Sequence, residues 1–187
     1  MKITLIRHGE VEVPYIGKYN GHNDIGLSKK GEKEAKKLAE LFTCKEFDLV
    51  YCSDLRRAKE TLKPFTQAKN ALYTPKLREK SWGKHEGFDF DEITAQGVVY
   101  KNFSQWIEAL DGENYKEYVQ RVKKFFFEEL AVQKADNVLV ITHAGVIRVL
   151  MAIVQNLSLE EAFTLALPYA SYTLYDTDLK TFSTIKT

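Results

Sequence analysis

Only two cysteines, Cys44 and Cys52, occur among the 187 residues, too few for a disulfide framework or a structural zinc site. Both read as core or strand-edge residues. An excess of one charge is missing too: Lys plus Arg number 27 and Asp plus Glu 26, a formal net charge of +1. So balanced a chain sets up no field that gathers nucleic acid or acidic lipid, and any anion site has to be local. Long apolar runs are also absent. The first stops at Ile3 to Ile6 with no signal-peptide pattern around it, and nothing approaches the roughly 20 apolar residues of a membrane helix. The expectation is a cytoplasmic protein with no membrane or nucleic-acid partner.

Familiar phosphate-binding signatures are lacking as well. A cysteine phosphatase needs Cys, five residues and then Arg, but from Cys52 that place holds Ala58, with the arginines at 56 and 57. Gly17, Gly21 and Gly26 are without the Gly-Lys-Ser/Thr ending of a P-loop, and no Gly-x-Gly-x-x-Gly follows a strand. Asp89 and Asp91 lie in a stretch without a decisive pattern, so no metal site and no cofactor is expected.

What is present is a sequence 44% hydrophobic and 28% charged, enough for one substantial core and a single domain over residues 1–187. Strand and helix patterns alternate along it. Lys2 to Arg7 is a β-branched apolar run, followed by a loop marked by Gly9, Pro14, Gly17, Gly21 and Gly26. Ser28 caps a helix whose apolar residues Ala35, Leu38, Ala39 and Phe42 recur at helical spacing, with the lysines from Lys29 to Lys37 on its solvated side. Asp48 to Cys52 reads as a second strand, and Ser53 opens a second helix that Pro64 bends or ends. A weak strand is expected near Ala71 to Leu77, while Phe88 to Tyr100 carries no clear period. Tyr115, Tyr118, Val119, Val122, Phe126 and Leu130 mark a long amphipathic helix, with Phe125 to Phe127 as core. Asn137 to Thr142 is apolar on both faces, as a covered parallel strand should be, and runs into the helix of "HAGVIRVLMAIVQ". Tyr172 to Asp176 and Thr181 to Lys186 complete a mainly parallel α/β sheet.

In such sheets ligands bind beyond the carboxyl ends of the strands. Arg7 and His8 follow the first strand, Ser53 to Arg57 the second, and His143 follows "NVLVIT". If those strands are neighbours, two imidazoles and at least one guanidinium converge on a pocket about the size of a phosphate.

Five blocks in order, "LIRHGE", "SDLRRAKET", "LREKSWGKHEG", "GENYKEYVQRV" and "THAGVIR", resemble the histidine phosphatase superfamily, also called the phosphoglycerate mutase-like family, from Met1 to about Leu150. The resemblance implies a three-layer α/β/α sandwich and a phosphohistidine intermediate. It assigns His8 as the residue that takes the phosphoryl group, with Arg7, Arg57 and His143 completing the phosphate pocket. Arg57, rather than Arg56, fits the pattern Ser-x-Leu-x-Arg-Ala. Glu79 matches the proton donor, with Glu86 as the competing carboxyl, and Asn20 and Gly21 match loop positions that touch substrate. Val11 and Pro14 stand where many relatives have Ser or Thr and Asn, so a contact from that Asn is lost or comes from elsewhere, with Asn20 the alternative. His22 and His85 read as structural histidines. His85 replaces the Trp of a "W-E-G" stretch, which leaves a place at the substrate opening open to it, and Glu10 is a supporting or surface charge.

The chemistry can be set against these residues directly. A nucleophilic imidazole must be neutral, and cations from Arg7 and Arg57 disfavour imidazolium. His143 is then a hydrogen-bond donor to the transferring group, and the arginines offset its charge. A carboxyl beside a phosphate dianion is driven toward its protonated form, which suits an acid that protonates the leaving alkoxide and later activates water. No metal is needed. The implied reaction is hydrolysis of a small phosphorylated metabolite, because the mutases of the family are generally longer than this compact chain. The branch most similar in appearance includes α-ribazole-5′-phosphate phosphatase, an enzyme of cobalamin assembly. The alternatives are mutase-type phosphoryl transfer and a phospho-ligand-binding module without turnover. The sequence gives no reading of oligomeric state.

Overall fold

Lys2–Arg7 (β1), Leu49–Ser53 (β2), Leu72–Thr74 (β3), Asn137–Thr142 (β4), Tyr172–Asp176 (β5) and Thr181–Ile185 (β6) form one sheet in the computed structural model, which describes residues 1–185. The strand order is β3-β2-β4-β1-β5-β6. The first four strands of that order run parallel, and β5 and β6 are antiparallel additions beside β1. Lys186, expected in the last strand, lies outside the described residues.

β4 and β1 occupy the centre because they are apolar on both faces. Alternation divides their side chains. Ile6, Leu139 and Ile141 pack with Val50, Cys52, Leu38 and Leu62 on one face, under the helices Lys29–Leu41 (α1) and Arg56–Leu62 (α2). Ile3, Leu5, Val138 and Val140 pack with Tyr118, Val122, Ile147 and Leu150 on the other, under Tyr115–Lys124 (α5) and Ala144–Gln155 (α6). The result is the α/β/α sandwich. Ser28 caps α1 by accepting from the Gly31 amide at 3.0 Å, as its sequence position predicts.

Three elements differ from the sequence expectation. The second helix starts at Arg56 rather than Ser53, because Ser53 is the last residue of β2 and its hydroxyl meets His143 at 2.8 Å. The third strand is only Leu72–Thr74, since Pro75 has no N–H for the ladder and starts a tight turn instead. The long helix is α-helical to Lys124 and then widens into a π turn over Phe125–Leu130. The extra residue per turn buries Phe125, Phe126 and Leu130 together and leaves Phe127 39% exposed.

Short helices Phe90–Ala95 (α3), Phe103–Ala109 (α4) and Leu159–Thr164 (α7) were not specified by periodicity. Capping boxes at Asp89/Glu92 and Ser158/Glu161 start the first and last. They gather around Trp82, Ile93, Trp106 and Ile107, a third apolar cluster. Among the described residues no helix is long and apolar enough to cross a membrane.

Candidate active site

β1 and β4 pair in register with Arg7 beside Thr142, so the residues that follow them, His8 and His143, must meet at the carboxyl edge. Their ring centroids are 5.1 Å apart. The His8 amide donates to the Thr142 carbonyl at 3.0 Å, and its Nδ1 lies 2.8 Å from the Gly9 carbonyl. A carbonyl only accepts, so Nδ1 carries the proton and the Nε2 lone pair is free. Burial, then the charges of Arg57 and Arg7, hold His8 well below the ordinary imidazole range, so the ring is neutral at pH 7. Gly9 is required for this turn: a Cβ there would stand 2.8 Å from the Gly31 carbonyl at the start of α1.

Arg57 and His143 form a layer behind His8. The Arg57 guanidinium is 1% exposed. It donates from Nε to His143 Nδ1 at 3.3 Å, from Nη1 to the Asn23 carbonyl at 3.0 Å and from Nη2 to the Gly21 carbonyl at 2.6 Å. Burial lowers it to about 10, so it remains charged at neutral pH. Because Nδ1 of His143 accepts, its Nε2 carries the proton and donates to Ser53 Oγ. Burial, then Arg57 and His8, keep that ring neutral too.

Glu79 is held from three sides. Its Oε1 accepts from the Tyr118 hydroxyl at 2.9 Å and the Lys80 amide at 3.0 Å, and its Oε2 from the Gly145 amide at 3.0 Å, in the first turn of α6. Glycine is demanded at 145, where a Cβ would lie 2.0 Å from Glu79 Oε1. Arg121 fastens the same segment by donating to the carbonyls of Lys76 (2.8 Å) and Arg78 (3.0 Å) while paired with Glu113. The competing carboxyl, Glu86, is bound elsewhere: its Oε1 accepts from the amides of His22 and Trp82 and from Ser81 Oγ, and it does not line the cavity that Glu79 lines.

A cavity of about 170 Å³ opens above these groups, and Arg7, His8, Asn20 and Glu79 lie on its wall. Arg7 stacks its guanidinium 4.0 Å from the Tyr169 ring centre, donates through Nη1 to the Leu167 carbonyl and keeps a buried Nε without a partner. Three expected contact residues are not on the wall. Arg57 has turned its donors to loop carbonyls and to His143 Nδ1, His143 donates to Ser53 Oγ, and Gly21 is packed where a Cβ would meet Glu86 and the Lys80 carbonyl at 2.5 Å. Asn20 reaches the wall with its Nδ2 donating to the Tyr15 carbonyl at 2.6 Å, and Val11, in the place of a polar residue, lines the cavity and bridges to Leu27.

His85 is not at the opening. It is 2% exposed and accepts from the Asp111 amide through Nδ1, while His22 Nε2 meets the Glu79 carbonyl at 3.0 Å. Glu10 bonds Ser28 and Lys30 at the start of α1. Sequence reasoning missed Tyr118, Arg148, Phe163 and Tyr169. Arg148 stood in a quoted block, three residues after Gly145, and helical spacing alone would have put it on the same side. Tyr169 carried no signal. Among the described residues no group of three or more His, Cys, Asp or Glu side chains is placed to hold a metal ion.

The sequence model of the histidine phosphatase superfamily, branch 1, matches residues 3–186. An adenosylcobalamin/α-ribazole phosphatase of Escherichia coli (strain K12) is 31% identical over 160 residues, 81% of this chain and 78% of that protein. Phosphoserine phosphatase 1 of Hydrogenobacter thermophilus is 27% identical over 93% of this chain and 85% of its own length. The crystal structure of the α-ribazole phosphatase from Shigella flexneri superposes with a TM-score of 0.82 at 27% identity, covering 98% of this chain and 94% of that one. A buried, neutral His8 at the carboxyl end of β1, facing a carboxylate across an arginine-lined cavity, is thus found in a chain that belongs to the histidine phosphatase superfamily, branch 1.

Proposed function

We propose that this phosphatase hydrolyses a small phosphomonoester through a phosphohistidine on His8. The observation that carries the reading is the free Nε2 of a neutral His8 on the same cavity wall as Arg7 and Glu79. Nε2 attacks phosphorus as the ester P–O bond breaks, and the leaving alkoxide takes a proton from the Glu79 carboxyl. Water then attacks phosphorus, giving its proton to the Glu79 carboxylate as the new P–O bond forms and the P–N bond breaks, which releases inorganic phosphate and restores the neutral His8. Arg7 offsets the charge on the equatorial oxygens. Arg57 and His143 work from behind: the charge of Arg57 helps keep His8 unprotonated, and the neutral His143 ring packs against it, and no step calls on a metal.

The volume of about 170 Å³ lies below the roughly 300–1,000 Å³ of pockets that engulf drug-sized ligands, which favours a compact ester. A second reading is α-ribazole 5′-phosphate, supported by the names of the E. coli and Shigella relatives. Its nucleoside would lie at the mouth, against the Tyr19 and Trp82 rings that line it. The test is phosphate release from p-nitrophenyl phosphate with a chelator present, followed by a panel of α-ribazole 5′-phosphate, phosphoglycerates, sugar phosphates and phosphopeptides. Release is expected. Tight binding without release would instead make the chain a binding module, and interconversion of phosphoglycerates without release would make it a mutase.

A further inference from the structure

Tyr118 is 2% exposed, yet its buried ring carries a hydroxyl to which the hydrolytic steps give no task. A core that needed only the ring would be served as well by phenylalanine, with no polar group to satisfy. Burial, then the charge of Glu79, pushes this hydroxyl far above its ordinary range, so it keeps its proton and acts as a donor. Its bond to Glu79 Oε1 is 2.9 Å long. Tyr118 and Arg121 stand three residues apart on one face of α5. Arg121 holds the backbone of the Glu79 segment, donating to the Arg78 carbonyl at 3.0 Å and the Glu79 carbonyl at 3.4 Å, while Tyr118 holds the carboxylate. One helix face thus fixes both the backbone and the side chain of the residue that handles the proton.

The two oxygens of that carboxylate are not equivalent. An ionised carboxylate offers about four acceptor positions, roughly two on each oxygen. Both positions of Oε1 are taken, by the Tyr118 hydroxyl and the Lys80 amide, and the Gly145 amide takes one on Oε2. The second position of Oε2 is left. A proton that arrives there disturbs none of the three donors: Oε1 becomes the carbonyl oxygen and still accepts from Tyr118 and Lys80, and the Oε2 hydroxyl still accepts from Gly145. Without the Tyr118 hydroxyl, Oε1 regains an open position on the side of the buried ring. A proton lodged there points into the core, away from both the leaving oxygen and the attacking water.

We propose that Tyr118 is a positioning residue that keeps the Glu79 proton on Oε2, where it meets the leaving alkoxide and is later regained from water. This rests on the phosphohistidine reading and assigns its proton to one atom. The test compares wild type, Tyr118→Phe, Glu79→Gln and the double variant on p-nitrophenyl phosphate and on the alkyl phosphate of the panel that wild type turns over fastest. Tyr118→Phe keeps the ring that fills the core. Its alkyl kcat should fall about 10-fold, the loss of one hydrogen bond to a charged group, with KM within about twofold of wild type. First-turnover release of p-nitrophenolate, which needs no proton, should slow by less than about twofold, whereas a merely structural role would slow both substrates alike. In the Glu79→Gln background the same substitution should change the alkyl rate by less than about twofold, because no proton is left to place. An unchanged alkyl kcat in Tyr118→Phe, equal slowing of both first turnovers, or the full loss repeated in the Glu79→Gln background overturns this proposal alone. Undiminished alkyl turnover in Glu79→Gln itself would sink the acid assignment on which it rests.

Discussion

Replacing Gly145 by alanine removes nothing from the chain, yet it should disable acid catalysis selectively. The new Cβ would lie 2.0 Å from Glu79 Oε1 and 2.7 Å from the Tyr118 hydroxyl, so one of them has to move. Tyr118 is fully packed beneath α6, 2% exposed, and the carboxylate is the softer side. Moving it breaks the bonds from Gly145 and Tyr118, each a hydrogen bond to a charged group worth about 1.5–3 kcal/mol. Loss of a positioned general acid costs about 10²- to 10⁴-fold, so kcat on an alkyl phosphate should fall at least about 100-fold. p-Nitrophenyl phosphate departs without protonation, so its first-turnover burst, which precedes the water step that also uses Glu79, should slow far less, about fivefold at most. Stability should fall by about 2–5 kcal/mol in urea, because the two lost hydrogen bonds are only partly offset by the roughly 1 kcal/mol better helix propensity of alanine. The reasoning is refuted if a folded Gly145→Ala enzyme keeps its alkyl-phosphate kcat within twofold, or slows the first-turnover phosphorylation by both substrates by the same factor.

Two further outcomes follow from the buried polar groups. His8 and His143 are both held below the ordinary value of 6.5 by burial first; below that pH the unfolded chain takes up protons that the native one refuses, so their contribution is complete above pH 6.5 and lost as the pH falls. Each can remove about 1.4 kcal/mol per pH unit, and urea titrations at pH 7 and 5.5 should show the decline; a flat profile would contradict the neutral assignment. Arg121→Met cuts the fastening of the Glu79 segment to Glu113 and to the Lys76 and Arg78 carbonyls and should cost about 2–4 kcal/mol of stability; an unchanged urea midpoint would show that the segment holds itself.

The strands and their ends were legible because each carries its cause locally. "NVLVIT" is apolar on both faces and so belongs at a sheet centre, and its neighbour "ITLIR" has the same character. Once they pair in parallel, residues 8 and 143 have to meet. What could not be read depends on contacts distant in sequence. Ser53 has the side chain of a helix cap, but the imidazole of His143, ninety residues away, takes its hydroxyl. Arg57 has the position of a phosphate ligand, but loop carbonyls from residues 20–23 take its donors. Likewise Phe127 stands in an aromatic run that reads as core, but the π turn at Phe125–Leu130 buries Phe125 and Phe126 and leaves it exposed.

The most direct measurement is rapid quenching of the enzyme during turnover of p-nitrophenyl phosphate, followed by mass spectrometry of its peptides under alkaline conditions. An acid-labile phosphoryl group on His8, absent from His8→Ala together with the activity, is the predicted result. Sustained turnover with phosphate on another residue, on none, or in the His8→Ala protein would contradict the account at its centre.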